Sequence, residues 1–198
     1  MLEEKYINVN ENREIEAYLE QLKKIYASMR EDMKHQWNRV LPLGDLLIDR
    51  WEKANYLEFG EKTSIYDSSV VMGDVSVGKN TWIGPYTLLD GTGGRLAIGD
   101  HCSISSGVQI YTHDTVDFCV SGGIAKKNCG QVSIGNNCYI GPMVIISCGV
   151  HIGVGCIVGA NSFVNQSCGD HVILAGTPAK EIGRVEIDAE GSVNRIYY

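Results

Sequence analysis

Aliphatic residues recur at every sixth position through the middle of the chain. Glycine often follows the aliphatic residue, and a small or β-branched residue often stands four positions after it. A six-residue unit of this kind is typical of one short strand and one turn, in which glycine permits a backbone that would strain other residues. The aliphatic positions are Ile65, Val71, Val77, Ile83, Leu89, Ile98, Ile104, Ile110, Ile134, Ile140, Ile146, Ile152, Val158 and Val164.

One such unit cannot bury its apolar face alone, but units that stack in coils share a continuous core. Three units make one triangular coil of about 18 residues, so the repeat supplies roughly five coils. The pattern therefore predicts an all-β solenoid over residues 61–185.

Two interruptions break the period. The short one is a three-residue slip at Gly91–Gly94, and the long one is a loop at about residues 112–132. An excursion on a rigid scaffold is a common place for functional residues, although a tolerated surface insertion is the alternative for the long loop.

The segment before the repeat has helical spacing. Apolar residues between Glu14 and Val40 recur at intervals of three and four, which predicts an amphipathic helix that ends near Pro42. A second helix is predicted over Leu43–Lys53. We expect an N-terminal helical segment over residues 1–60 that covers the open end of the coil, a short C-terminal cap, and a tail over residues 186–198.

The composition limits the function classes. The net charge of −7 argues against nucleic acid as a partner, and no run is apolar enough to span a membrane. The first ten residues lack the pattern of a signal peptide. Seven cysteines without a CxxC pair fit a reducing cytoplasm, and four occupy the small slot of the repeat as packing residues: Cys102, Cys138, Cys156 and Cys168.

The run IGNNCYIGPMVIISCGVHIGVGCIVGANSFVNQ and the closing AGTPAKEI resemble the hexapeptide-repeat acyltransferases. The maltose, galactoside and xenobiotic O-acetyltransferase-like branch is the most similar group, and the resemblance covers about Ile65 to Arg184. It implies a left-handed parallel β-helix and a homotrimer with active sites between subunits. It also implies acetyl-CoA as the acyl donor and no metal.

Acyl transfer from a thioester to a hydroxyl needs a base for the hydroxyl proton, and histidine suits this role near neutral pH. His113 stands where the coil opens into the long loop, which is where the family places its catalytic histidine. The resemblance also makes Asp90 a candidate for acceptor binding, and a turn aspartate is the alternative for it. Asp114, which is adjacent to His113 in the sequence, is the second acceptor-binding candidate. The group that orients His113 is left open between Asp114, Asp117 and a backbone carbonyl.

Eight positions match the CoA-binding segment of the family. Small residues there would let the pantetheine arm lie close to the backbone, and the cations would contact CoA phosphates. Pro142 departs from the family pattern, because it removes one backbone donor. The eight positions are Tyr139, Gly141, Ser147, Gly159, Ala160, Thr177, Lys180 and Arg184.

The sequence thus predicts an acetyl-CoA-dependent O-acetyltransferase that acts directly, without a covalent enzyme intermediate, on a sugar or a surface-polysaccharide precursor. The alternative is an N-acetyltransferase acting on a nucleotide-linked amino sugar. Two further classes share the coil. A γ-type carbonic anhydrase would need a His-x4-His pair that the chain lacks, and a non-catalytic scaffold would not explain the His113 loop together with the closing motif.

Overall fold

The computed structural model describes residues 13–198, and the chain divides into two compact units, residues 1–47 and residues 48–198. The predicted absence of a signal peptide concerns residues that lie outside the described part. In the first unit, α1 spans Arg13–Trp37 and α2 spans Leu43–Leu47. Helix α1 ends before the predicted Val40 because Asn38 adopts a left-handed backbone with φ of 51°.

The predicted helix over Leu43–Lys53 is two helices, and the second, α3, spans Arg50–Tyr56 in the second unit. Asp49 begins α3, since its Oδ1 accepts hydrogen bonds from the backbone nitrogens of Trp51 and Glu52. Helix α3 packs on the first strand of the coil, with Ala54 buried. Lys53 Nζ donates to the carbonyl oxygens of Tyr66, Asp67 and Ser69.

The remaining chain forms short parallel strands that stack at steps of about one coil. Ile65 pairs with Ile83, Ile83 with Ile104, and Ile140 with Val158. The strands of this first face are β1 (Ser64–Ile65), β3 (Trp82–Ile83), β5 (Ser103–Ile104), β10 (Tyr139–Ile140), β13 (Ile157–Val158) and β15 (Val172–Gly176).

Two longer strands, β2 (Val70–Val77) and β4 (Leu88–Ile98), continue through a corner of the coil, so each contributes to both of the other two faces. Their first halves stack with β6 (Gln109–Tyr111), β11 (Ile145–Ile146) and β14 (Phe163–Val164). Their second halves stack with β9 (Val132–Ile134) and β12 (His151–Ile152). The long loop carries β7 (His113–Asp114), α4 (Val116–Val120) and β8 (Asn128–Cys129).

The six-residue frame is confirmed in the core. Every aliphatic position of the frame is buried except Val71, which is half-buried against the same core. Three of the four predicted packing cysteines are also buried, and Cys168 is half-buried beside Cys156. Hydrogen bonding to the Cys102 and Cys156 thiols, together with burial, raises the pKa of Cys138, and the Cys138 thiol donates to the backbone oxygen of Gly153 at 3.0 Å.

The explanation of the glycine slot by backbone strain is wrong, because Gly99 does not have a positive φ. A Cβ at Gly99 would instead lie 2.3 Å from Oδ1 and 2.7 Å from the backbone nitrogen of Asn136 in the next coil. This Oδ1 accepts a hydrogen bond from the backbone nitrogen of Asp100, the residue that follows Gly99. The glycine is required by the close approach of the next coil. The left-handed backbone falls two residues later in each coil, at Asn80, His101, Asn137 and His171.

The segment after Glu186, which shows no pattern in the sequence, completes an antiparallel extension of the first face. Strand β16 (Ala179–Ile187) folds back on β15, and β17 (Val193–Tyr197) pairs with β16. The predicted short cap is therefore a two-stranded addition to the sheet.

Candidate active site

His113 stands at the point where the chain leaves the coil. It is the first residue of β7, and it pairs with Cys129 of β8 across the base of the long loop. Its side chain is 26% exposed, and its Nδ1 lies 3.4 Å from Asp90 Oδ2. Thr92 Oγ1 lies 3.2 Å from the same nitrogen. The structure thus brings together two residues, Asp90 and His113, that the sequence placed in the site separately.

The carboxylate of Asp90 is 96% buried, and hydrogen bonds fix its orientation. Its Oδ1 accepts from Thr92 N at 2.9 Å and from Thr92 Oγ1 at 2.6 Å. Thr112 Oγ1 donates to the backbone oxygen of Asp90 at 2.8 Å and accepts from Gly93 N at 3.0 Å. Because Oδ1 faces Thr92, Oδ2 is the oxygen that faces the imidazole.

The other ring nitrogen of His113, Nε2, has no hydrogen-bond partner within residues 13–198. A neutral imidazole whose Nδ1–H points at a buried carboxylate carries its lone pair on Nε2. That nitrogen can accept a proton from a bound hydroxyl or amine, and the buried carboxylate stabilises the resulting cation. The geometry is therefore that of a general base with an orienting partner.

Asp114 lies on the opposite side of the loop base. Asn128 Nδ2 donates to its Oδ2 at 2.9 Å, and the backbone nitrogen of Val116 donates to its Oδ1 at 3.1 Å. These bonds, with that of Asn128 the largest influence, lower the pKa of Asp114. The Cys148 thiol of the next coil lies 3.6 Å from Asp114 Oδ2. Burial is the larger cause, and the Asp114 carboxylate the second, of the raised pKa of Cys148. Asp114 thus ties the loop base to the coil.

The predicted CoA-binding positions fall into three places. Gly141, Gly159 and Ala160 meet at one corner of adjacent coils, where a Cβ on Gly141 would lie 2.7 Å from Ala160 N. Thr177 joins this corner, since its Oγ1 donates to the backbone oxygen of Asn161 at 3.0 Å. Tyr139 precedes the corner by two residues and is 45% exposed, and Lys180 follows on β16 opposite Ala175.

Ser147 and Arg184 lie elsewhere. Ser147 directly follows β11, at the end of that face where His113 leaves the coil, and its Oγ donates to the backbone oxygen of Val164. Arg184 pairs with Val172 at the other end of the β15–β16 hairpin and forms an ion pair of 2.8 Å with Glu186. The eight positions therefore do not form one surface within a single chain.

The other described histidines lie outside this cluster. His101 and His171 take left-handed corner positions, His35 is exposed on α1, and His151 is exposed beside Ser133. Among residues 13–198, no group of three or more His, Cys, Asp or Glu side chains is placed to hold a metal ion. None of the helices in the described part is both long and apolar enough to cross a membrane.

Sequence reasoning missed Thr92, Thr112, Asn128 and Cys148, all of which contact the predicted site residues. The available signal was positional: Thr92 lies in the three-residue slip, and Asn128 lies in the long loop. Threonine and asparagine are common surface residues, so only the contacts across coils single them out.

Comparison with known proteins places this geometry in a family. The family model for the hexapeptide repeat of succinyl-transferase matches residues 131–166. A chloramphenicol acetyltransferase from Morganella morganii is 31% identical over 117 residues, which is 50% of this chain and 56% of that protein. The chain thus spans little more than half the length of this curated relative.

Two solved structures extend the likeness. A variant of AntD, an N-acyltransferase from Bacillus cereus in complex with dTDP and coenzyme A, is 30% identical, with a TM-score of 0.55 over 62% of this chain and 70% of that one. The hexapeptide-repeat containing acetyltransferase VCA0836 from Vibrio cholerae is 25% identical, with a TM-score of 0.61 over 88% of this chain and 94% of that one. With its repeat, stacked coils and these relatives, the chain belongs to the hexapeptide-repeat acyltransferase superfamily.

Proposed function

We propose that this protein transfers an acetyl group from acetyl-CoA to a hydroxyl of a sugar or of a surface-polysaccharide precursor, with His113 as general base. The observation that carries the proposal is the pairing of His113 Nδ1 with the buried carboxylate of Asp90, which leaves Nε2 free at the edge of the coil. Asp90 is the residue that orients His113 in this mechanism.

The reaction proceeds without a covalent enzyme intermediate. His113 Nε2 takes the acceptor proton as the acceptor oxygen bonds to the thioester carbonyl carbon. The tetrahedral intermediate then collapses with cleavage of the carbon–sulfur bond, and the imidazolium of His113 returns the proton to the CoA sulfur. The carboxylate of Asp90 stabilises the imidazolium between the two proton transfers.

The choice of acetyl-CoA rests on the relatives and on one corner of the coil. AntD was solved with coenzyme A, and VCA0836 was solved with acetyl coenzyme A. At this corner Gly159 is half-buried and Ala160 is exposed, so a pantetheine arm could lie against their backbone, and Thr177 and Lys180 stand beside the corner. We propose this corner as the donor-binding surface.

We propose a homotrimer of left-handed β-helices with active sites between subunits, because the proposed donor-binding corner and His113 are separated within one chain. The corner with Gly141 and the base with His113 lie at opposite ends of the face formed by β6, β11, β14 and the first halves of β2 and β4. A second copy against that face could complete each end. Outward side chains of this face are apolar in four of its five strands: Val70, Leu88, Ile145 and Phe163. The free thiols fit the cytoplasm as the location.

The second candidate is N-acetylation of a nucleotide-linked amino sugar. The specific support is the likeness to AntD, an N-acyltransferase solved with dTDP. The same His113 geometry would serve an amino group, because Nε2 can remove a proton from nitrogen as well as from oxygen.

The test measures acetyl-CoA consumption with two acceptor panels, one of sugars with free hydroxyls and one of nucleotide-linked amino sugars. We expect hydroxyl acceptors to be consumed, and His113→Ala to lower kcat by about 10²–10⁴-fold. His151→Ala, which removes an exposed histidine beside Ser133, is the matched control. Selective acetylation of amino sugars would favour the alternative, and near wild-type activity of His113→Ala would refute the mechanism.

A further inference from the structure

The short interruption of the repeat is an insertion at one corner of the coil. Between two paired positions, β2 advances from Gly73 to Val75 while β4 advances from Gly91 to Leu96, so β4 carries three extra residues. A corner of this fold needs no such addition, since the strands on both sides keep their register. The three extra residues of β4 therefore have a cause other than the geometry of the coil.

The hydroxyl of Thr92 within this insertion lies between the two members of the proposed catalytic pair. Thr92 Oγ1 donates to Asp90 Oδ1 at 2.6 Å, and the same oxygen lies 3.2 Å from His113 Nδ1. Because the hydroxyl proton is committed to the carboxylate, the oxygen can only accept from the imidazole. Thr92 and Asp90 thus both require the proton of a neutral His113 to be on Nδ1.

The backbone of the insertion is fixed against the base of the loop. Gly93 N donates to Thr112 Oγ1, which itself bonds to the backbone of Asp90. A Cβ on Gly93 would lie 2.4 Å from His113 Cβ and 2.5 Å from the backbone oxygen of Thr112. Only glycine therefore allows the insertion to lie directly against the histidine without displacing it.

We propose that the insertion Thr92–Gly94 is a positioning element that selects the Nδ1–H tautomer of His113, with Thr92 as its positioning residue. This inference rests on the proposed role of His113 as general base. The carboxylate of Asp90 alone could accept from the ring at 3.4 Å, which is long for a hydrogen bond, and the Thr92 oxygen supplies the closer acceptor. The extra residues thereby keep the lone pair on Nε2.

The experiment compares Thr92→Val and Thr92→Ser in the full-length protein, with Thr115→Val, which makes the same change in the long loop two residues after His113, as the matched control. The tautomer of His113 is measured from long-range ¹H–¹⁵N correlations of the imidazole, and kcat and KM for acetyl-CoA are measured in parallel. We expect Thr92→Val to populate the Nε2–H tautomer and to lower kcat by about 10- to 100-fold with little change in KM. Thr92→Ser, which keeps the hydroxyl, should restore both readouts.

Wild-type ring signals and wild-type kcat in Thr92→Val would overturn the inference, as would failure of Thr92→Ser to differ from Thr92→Val. The proposed function fails separately. If Thr92→Val changes the tautomer but His113→Ala remains active, the positioning element stands and the base assignment is wrong. If His113→Ala is inactive and Thr92→Val behaves as wild type, the base assignment stands and the positioning element is wrong.

Discussion

The substitution Asp90→Asn tests the catalytic pair with a change of only one atom. In the wild type, Oδ1 of Asp90 accepts from Thr92 N at 2.9 Å and from Thr92 Oγ1 at 2.6 Å. The backbone N–H cannot reverse its role, so the amide oxygen of an asparagine must occupy this position. The amide nitrogen then takes the place of Oδ2, which lies 3.4 Å from His113 Nδ1.

In Asp90→Asn, a hydrogen-bond donor replaces the acceptor that faces His113 Nδ1. The amide donor opposes the Thr92 oxygen, which accepts from Nδ1–H, and a ring that accepts the amide bond at Nδ1 carries its proton on Nε2, where it prevents that nitrogen from acting as a base. The imidazolium also loses the carboxylate that stabilises it. We expect kcat to fall by about 10²–10⁴-fold, which corresponds to about 3–5 kcal/mol of transition-state stabilisation.

The assay is steady-state kinetics at saturating acceptor, and KM for acetyl-CoA and the thermal midpoint of unfolding are measured in parallel. KM should change little because the proposed donor-binding corner is remote from Asp90 in the chain. The thermal midpoint should change little because the substitution keeps the side-chain volume. Asp114→Asn, which alters the carboxylate on the other side of the loop base, is the comparison. A kcat of Asp90→Asn within about threefold of the wild type would refute the reasoning.

Three further predictions concern stability and titration. Ile146→Ala should lower the free energy of unfolding by about 2–5 kcal/mol in denaturant titrations, while Ile187→Ala, which alters a 53% exposed side chain of β16, should cost far less; equal costs would contradict the inward assignment of Ile146. Gly99→Ala, with its Cβ 2.3 Å from the carboxamide oxygen of the next coil, should cost about 1–3 kcal/mol by the same measurement, and a neutral effect would contradict the close approach. Because the pKa of Asp114 is lowered in the folded state, its bonds stabilise the loop above the unfolded pKa, and this stabilisation is lost as the pH falls through the folded pKa. Asn128→Ala should raise the pKa of Asp114 in an NMR titration, and an unchanged pKa would remove Asn128 as its main cause.

The core was predictable because its rule is local. Each aliphatic residue of the frame points inward through the same short strand and turn, so Ile83, Ile104 and Ile140 could be assigned without knowing their neighbours. The two interruptions were also visible as failures of the period. The break between α2 and α3 was not predicted, because apolar spacing continues across Asp49 and only its capping bonds end the pattern.

The site was predictable only in part. His113 could be singled out by its position beside the long loop and by the family resemblance, and Asp90 by the family resemblance. Their contact joins two residues from neighbouring coils, and the three-residue insertion changes the spacing between those coils. No period of six gives that distance.

The sequence by itself determined the stacked coil, since a repeated six-residue pattern of inward aliphatics has no other way to bury its faces. The tertiary structure decided which side chains meet between coils. It placed Asp90 and Thr92 around His113, and it traced the glycine slot to the close approach of the next coil. Contacts of this kind depend on register and corner geometry, which involve residues distant in the sequence, and a local pattern does not encode them.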